Sequence, residues 1–244
     1  MDLSNINSKS FILGAAVSGA IFASILALRC FSKCGGDKAF STPDQPLRFA
    51  TAKASNLTRM LDIDAVYEPS YARGKVVLVT GGNRGLGLAI AKEFIAQGSI
   101  VYITSRDSFK LEGAAGVISN IDVSDDNCGS AVVLGMKGRK IDILINNAGY
   151  FYEPVEKINS LNFAEEKKMI DICALGVLRI TSAIHNAGLL ARGSKVAVIS
   201  SQGGSIAWRF TQNPEGHDYG HHMSKAAANM AGVLLAPGLR AAGV

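Results

Sequence analysis

The 244-residue chain predicts an α/β fold with a doubly wound parallel sheet. Three observations predict it. Short apolar runs at 75–80, 100–104, 116–121, 141–146 and 195–200 read as strands covered on both faces, where hydrophobicity is continuous rather than alternating. Stretches 86–97, 125–137 and 162–190 between them carry apolar residues at helical spacing, and 222–235 repeats that spacing after a long loop. The first strand also passes through a glycine-rich turn directly into a helix.

That turn is Thr80-Gly81-Gly82-Asn83-Arg84-Gly85-Leu86-Gly87, following Lys75-Val76-Val77-Leu78-Val79. Strand, glycine turn and helix together aim backbone N–H groups and a positive helix end at a phosphate. Glycine lets the backbone approach a pyrophosphate that a Cβ would hold away. The second strand, Ile100-Val101-Tyr102-Ile103-Thr104-Ser105, leads into Arg106 rather than an acidic residue. The fourth, Ile141-Asp142-Ile143-Leu144-Ile145, ends in Asn146-Asn147-Ala148-Gly149. The fifth, Lys195-Val196-Ala197-Val198-Ile199, ends in Ser200-Ser201, and Met223-Ser224-Lys225-Ala226 opens the last helix. Each motif stands at the carboxyl end of a strand, where open α/β sheets bind ligands.

Composition narrows the function. The net charge of +5 is spread along the chain without a basic block, which argues against nucleic-acid binding. Cys30, Cys34, Cys128 and Cys173 fit neither a disulfide framework nor a metal site, and read as reduced thiols of a cytosolic domain.

Residues 1–10 read as a tail and 11–28 as an apolar segment flanked by Lys9 and by Arg29, Lys33 and Lys38. As a helix, its 18 residues would span about 27 Å, enough for a bilayer core. An uncleaved transmembrane anchor is expected, with the folded domain in the cytosol. A cleaved signal peptide, directing the domain to the secretory route or an organelle, is the rival reading. Residues 29–73 read as a linker and 74–244 as the domain.

The four motifs in this order make residues 74–244 resemble the short-chain dehydrogenase/reductase family, whose domain is a Rossmann-type sheet. The resemblance implies hydride transfer between a nicotinamide and a carbonyl or alcohol carbon of a small molecule. It also implies Gly81, Asn83, Arg84, Gly85, Leu86 and Gly87 around the pyrophosphate, Asp122 at the adenine edge, and Asn147, Ala148 and Gly149 beside the ribose. Arg106, with Arg84, suits a 2′-phosphate, so NADP(H) is the expected cofactor. Asp122 also reads as a helix cap with Ser124, and both roles stand.

In the family a tyrosine donates the proton, a lysine four residues later binds the ribose, a serine polarises the substrate and a helical asparagine holds a water. Lys225 and Ser201 fill two of these positions. His221 stands where the tyrosine would, and Cys173 where the asparagine would. The proton donor is then His221 or Tyr219, two residues earlier. Reading His217, Asp218, His221 and His222 as metal ligands lacks a supporting carboxylate or cysteine cluster, so no metal is expected.

The family continues with two further strands, so the resemblance implies a sheet truncated after the sixth helix with the fifth strand at its edge. It also implies a homodimer through the helices at 162–190 and 222–235. Trp208 and Phe210 read equally as substrate-loop residues and as simple loop packing. The two function readings are an NADP(H)-dependent carbonyl reductase or alcohol dehydrogenase, and a catalytically silent NADP(H)-binding protein acting as sensor or scaffold.

Overall fold

The computed structural model describes residues 54–55 and 69–244, of which Ala72–Val244 form a compact unit. The apolar segment 11–28, Cys30, Cys34 and nearly all of the linker lie outside the described residues. Among those that are described, no helix is long and apolar enough to cross a membrane.

Five strands form one sheet: β1 (Val76–Val79), β2 (Ile100–Thr104), β3 (Gly116–Ile118), β4 (Ile141–Asn146) and β5 (Leu190–Val198). Their order is β3-β2-β1-β4-β5, and every pairing is parallel. The order reverses direction between β1 and β4, so the carboxyl ends of these two strands flank the crevice that such a sheet offers a ligand. As expected, β5 lies at an edge.

Helix α1 (Gly85–Ala96) returns from β1, and α2 (Cys128–Gly135) precedes β4. The helix expected at 162–190 is instead α3 (Phe163–Ile170), a π-helical turn (Asp171–Leu175) and α4 (Gly176–Asn186). Arg179 pins this turn, donating to Asp171 at 2.8 Å, to Asp126 at 2.6 Å and to the Val123 carbonyl at 3.1 Å. The loop after β5 holds a 3-10 turn (Gln202–Gly204) and α5 (Arg209–Gln212) before α6 (Tyr219–Ala241).

Alternation along β1 divides the core between the two faces of the sheet. Val76 and Leu78 join Val132, Met136, Leu144, Ile180 and Ile184 in one buried cluster. Val77 and Val79 point the other way and are fully buried too. Several boundaries differ from expectation: β3 stops at Ile118 and α2 spans only Cys128–Gly135, shorter than the runs at 116–121 and 125–137. β5 begins at Leu190, because its pairing with β4 slips between Ile141 and Ile143 and so separates Leu190 from the run at 195–198. α6 begins three residues early, and it runs on through Pro237 to Ala241.

Candidate cofactor cleft and active site

The glycine turn owes its shape to contacts across the sheet. Thr80 Oγ accepts the backbone N–H groups of Asn147 at 3.0 Å and Ala148 at 2.9 Å. The Asn147 side-chain amide donates back to the carbonyls of Thr80 at 3.0 Å and Gly81 at 3.2 Å. Thr104 Oγ accepts from Gly81 N–H at 3.1 Å. The motifs after β1, β2 and β4 are therefore one hydrogen-bonded unit. Thr80 and Thr104 were not singled out from sequence; a hydroxyl closing each strand was the available signal.

The glycines have separate reasons. Gly81 and Gly85 have φ of +63° and +53°, a region that other L-residues rarely adopt. A Cβ on Gly85 would meet nothing within 4 Å, so open space lies at the start of α1. A Cβ on Gly87 would collide with the Gly81 carbonyl and the Asn147 amide. Gly87 thus serves the packing of the turn itself, where a close approach to pyrophosphate was the expected reason.

A cleft of about 280 Å³ opens over this unit. Its walls include Gly81, Asn83, Arg84, Gly85, Leu86 and Gly87, together with Arg106, Asp122, Asn147, Ala148 and Gly149. Eleven of the twelve residues expected to bind the cofactor therefore line one space, and the twelfth, Lys225, does not. The first N–H groups of α1 have no acceptor within the helix, and Arg84 at its N-cap makes no side-chain cap. An anion fits that end, and the exposed Arg84 and Arg106 add positive charge. Asp122 accepts from the N–H and hydroxyl of Ser124 at 2.9 and 2.7 Å. These bonds hold its carboxyl below the usual range, with Arg106 and Lys168 adding to the effect. Asp122 therefore lines the cleft and closes a turn with Ser124; it caps no helix, because the N-cap of α2 is Asn127, five residues further on.

Lys225 and Ser201 sit beyond the walls of that cleft, where β5 ends. Lys225 Nζ donates to the Ile199 carbonyl at 3.1 Å. Ser201 is exposed, and its hydroxyl accepts from Gly203 N–H at 3.0 Å, capping the 3-10 turn.

His221 packs edge-on against Phe151, with ring centroids 5.0 Å apart, and its Nδ1 is buried without a hydrogen-bond partner. Burial first, then the charge of Lys225, lowers its pKa from 6.5 to about 4. The imidazole is neutral at pH 7. A Cβ on Gly216 would lie 3.7 Å from the Tyr219 hydroxyl, which puts that phenol against the preceding loop. His222 contacts the Asn213 amide at 2.9 Å and Arg209 at 3.3 Å, while His217 pairs with Asp218 at 2.6 Å. Among the described residues, no three His, Cys, Asp or Glu side chains gather as metal ligands.

Cys173 is buried and free, at the centre of the π-helical turn. Its thiol is 3.4 Å from both the N–H and the carbonyl of Tyr150. Tyr150, a cleft residue missed from sequence, lies with the Lys168 ammonium 4.2 Å from its ring centre. Phe210 is 84% exposed, so loop packing does not account for it.

A parallel sheet with a glycine turn and an anion-ready helix start at its switch point defines a dinucleotide-binding α/β domain. Residues 75–231 match the short chain dehydrogenase family, and the chain belongs to that family. It is 30% identical over 161 residues to a 1-hydroxy-2-glutathionyl-2-methyl-3-butene dehydrogenase of Rhodococcus sp. (strain AD45), covering 64% of this chain and 68% of that one. It is 28% identical over 183 residues to dehydrogenase/reductase SDR family member 7B of Xenopus laevis, covering 68% and 55%. The chain spans about half the length of several curated relatives it matches. A Burkholderia multivorans structure described as a short-chain dehydrogenase/reductase with bound NADP superposes with a TM-score of 0.55. It is 27% identical, over 64% of this chain and 70% of that one.

Proposed function

We propose that this chain is an NADP(H)-dependent oxidoreductase acting on a small carbonyl or alcohol substrate. One observation carries the reading: the open start of α1, Arg84 and Arg106 line the same cleft at the switch point. The family binds a nicotinamide dinucleotide, and two arginines in the cleft suit the 2′-phosphate form; the competing carboxylate, Asp107, lies one residue past the discriminating position.

The bound cofactor would supply or accept the hydride. The amides of Gly85, Leu86 and Gly87 would take pyrophosphate oxygens. Asp122 would meet the adenine edge, and residues 147–149 would run beside the ribose. Lys225 would exchange its bond to the Ile199 carbonyl for the ribose hydroxyls. Ser201 would hydrogen-bond the substrate oxygen, and its exposure leaves the hydroxyl accessible. His221 and Tyr219 are the two candidates for the proton. A neutral, buried imidazole is a poor acid, so turnover is expected to be slow.

That same observation favours a second reading, in which the domain binds NADP(H) as a sensor or scaffold without efficient catalysis. Both readings retain a membrane anchor at 11–28 and a cytosolic domain. Both also retain pairing of two copies through α3, α4 and α6, on which Met230, Val233 and Leu234 are exposed.

Carbonyl-dependent NADPH oxidation by the full chain separates the two. Turnover that Lys225→Ala abolishes supports the enzyme. NADPH binding without oxidation of NADPH by a panel of aldehydes and ketones leaves the sensor. Failure of the folded protein to bind NADPH or NADH removes both.

A further inference from the structure

Glu156 is 2% exposed, and among the described residues no lysine or arginine is bonded to it. Its carboxylate spans two helix starts. One oxygen accepts the N–H of Asn162, the N-cap of α3, at 3.2 Å. The other accepts the N–H of Gly220, in the first turn of α6, at 3.4 Å. Its backbone carbonyl accepts the N–H of Asp218 at 3.1 Å.

Two features at the start of α6 make this tie necessary. Asp218 is the N-cap, yet its backbone is left-handed with φ of +52° and its side chain makes no cap bond. It pairs with His217 instead. The free amides of the first turn therefore lack a local acceptor, and Glu156 supplies one from 64 residues away in sequence. These backbone donors satisfy both carboxyl oxygens of a side chain that is otherwise buried. Gly220 is packed so closely that a Cβ would press on Met169 and on Cα and Cγ of Glu166.

We infer that Glu156 is a positioning residue of the active site: by capping α6 from the loop after β4, it sets where His221 and Lys225 stand. The same loop carries Phe151, which touches the His221 ring. Loop and helix start therefore form one wall, with Glu156 as its fastening. The link to nucleotide affinity rests on the reading of Lys225 as a ribose ligand.

The test compares full-length wild type with Glu156→Gln and Glu156→Leu, reading amide hydrogen exchange and NADPH affinity together. Gln keeps one acceptor oxygen but loses the charge, which roughly halves the strength of such bonds. Exchange at Gly220 and Asn162 is expected to quicken about fivefold in Glu156→Gln, with the amides of β1 and β4 unchanged. NADPH affinity should fall about threefold, and both changes should be larger in Glu156→Leu. If Glu156→Leu does not fold, Glu156→Gln alone decides. Gly220 exchange within twofold of wild type would overturn the inference, and so would equal acceleration of every amide. Exchange is read without cofactor, so a wild type that binds no NADPH removes the proposed function and leaves this inference to the Gly220 amide.

Discussion

Cys173 bonds in both directions to the backbone of Tyr150: the thiol lies 3.4 Å from its N–H and 3.4 Å from its carbonyl. Cys173 thus holds the chain leaving β4 against the π-helical turn. Replacing it with alanine removes both partners of a half-buried peptide unit. Cys173→Ala is expected to cost about 1–3 kcal/mol. Urea denaturation measures it, and an unchanged midpoint would show that the thiol only fills space. Cys173→Ser keeps a donor and acceptor and should lose less.

Gly87→Ala tests the packing of the glycine turn. The added methyl meets the Gly81 carbonyl, which is backbone, and the Asn147 side-chain amide, which two hydrogen bonds to the turn hold in place. A loss of about 1–3 kcal/mol is expected from overpacking, with weaker nucleotide binding. Gly85→Ala differs, because its cost comes from a positive φ in open space. Urea midpoints should fall for both, but a collision with bound nucleotide can arise only at Gly85.

Arg106→Asp should exchange one cofactor preference for another. NADPH affinity is expected to fall at least tenfold, on the order of the 1.4 kcal/mol that one charge-assisted bond supplies. NADH affinity should rise or hold, since a carboxylate can accept from a ribose diol. Equal losses for the two nucleotides in a fluorescence titration would remove Arg106 from the 2′-phosphate site.

His221 makes stability depend on pH. Its pKa is depressed by burial and by Lys225, from 6.5 unfolded to about 4 folded. Between these values the unfolded chain binds the proton and the folded one does not, so stability rises with pH through that window. The contribution is complete above about pH 6.5 and is lost as pH falls toward 4. His222, lowered by burial and by Arg209, acts in the same direction. The drop in urea midpoint from pH 7 to pH 5 should be smaller in His221→Gln. An equal drop in wild type and variant would place the titration elsewhere.

Much of the cleft was legible because its chemistry resides in backbone and glycine. A strand, a turn with glycine at fixed places and a helix leave little freedom in where the amides point, so residues 81–87 could be placed from their order alone. Arg106, Asp122 and residues 147–149 followed because each stands a few residues past the end of a strand, and parallel strands bring their carboxyl ends to one edge. The departures at His221 and Cys173 were visible for the same reason. What they do instead was not. Cys173 meets Tyr150 from 23 positions away, and Glu156 meets Gly220 from 64. Neither partner carries a side-chain signal, because the atoms involved are main-chain N–H and C=O groups. The π-helical turn was hidden likewise, since its residues have ordinary helical spacing and Arg179 pins it from outside. Local geometry and hydrophobic period determine the sheet and its glycine turn. Burial, and the need to satisfy each buried amide, determine the state of His221 and the fastening of α6, and these arise only once distant segments pack together.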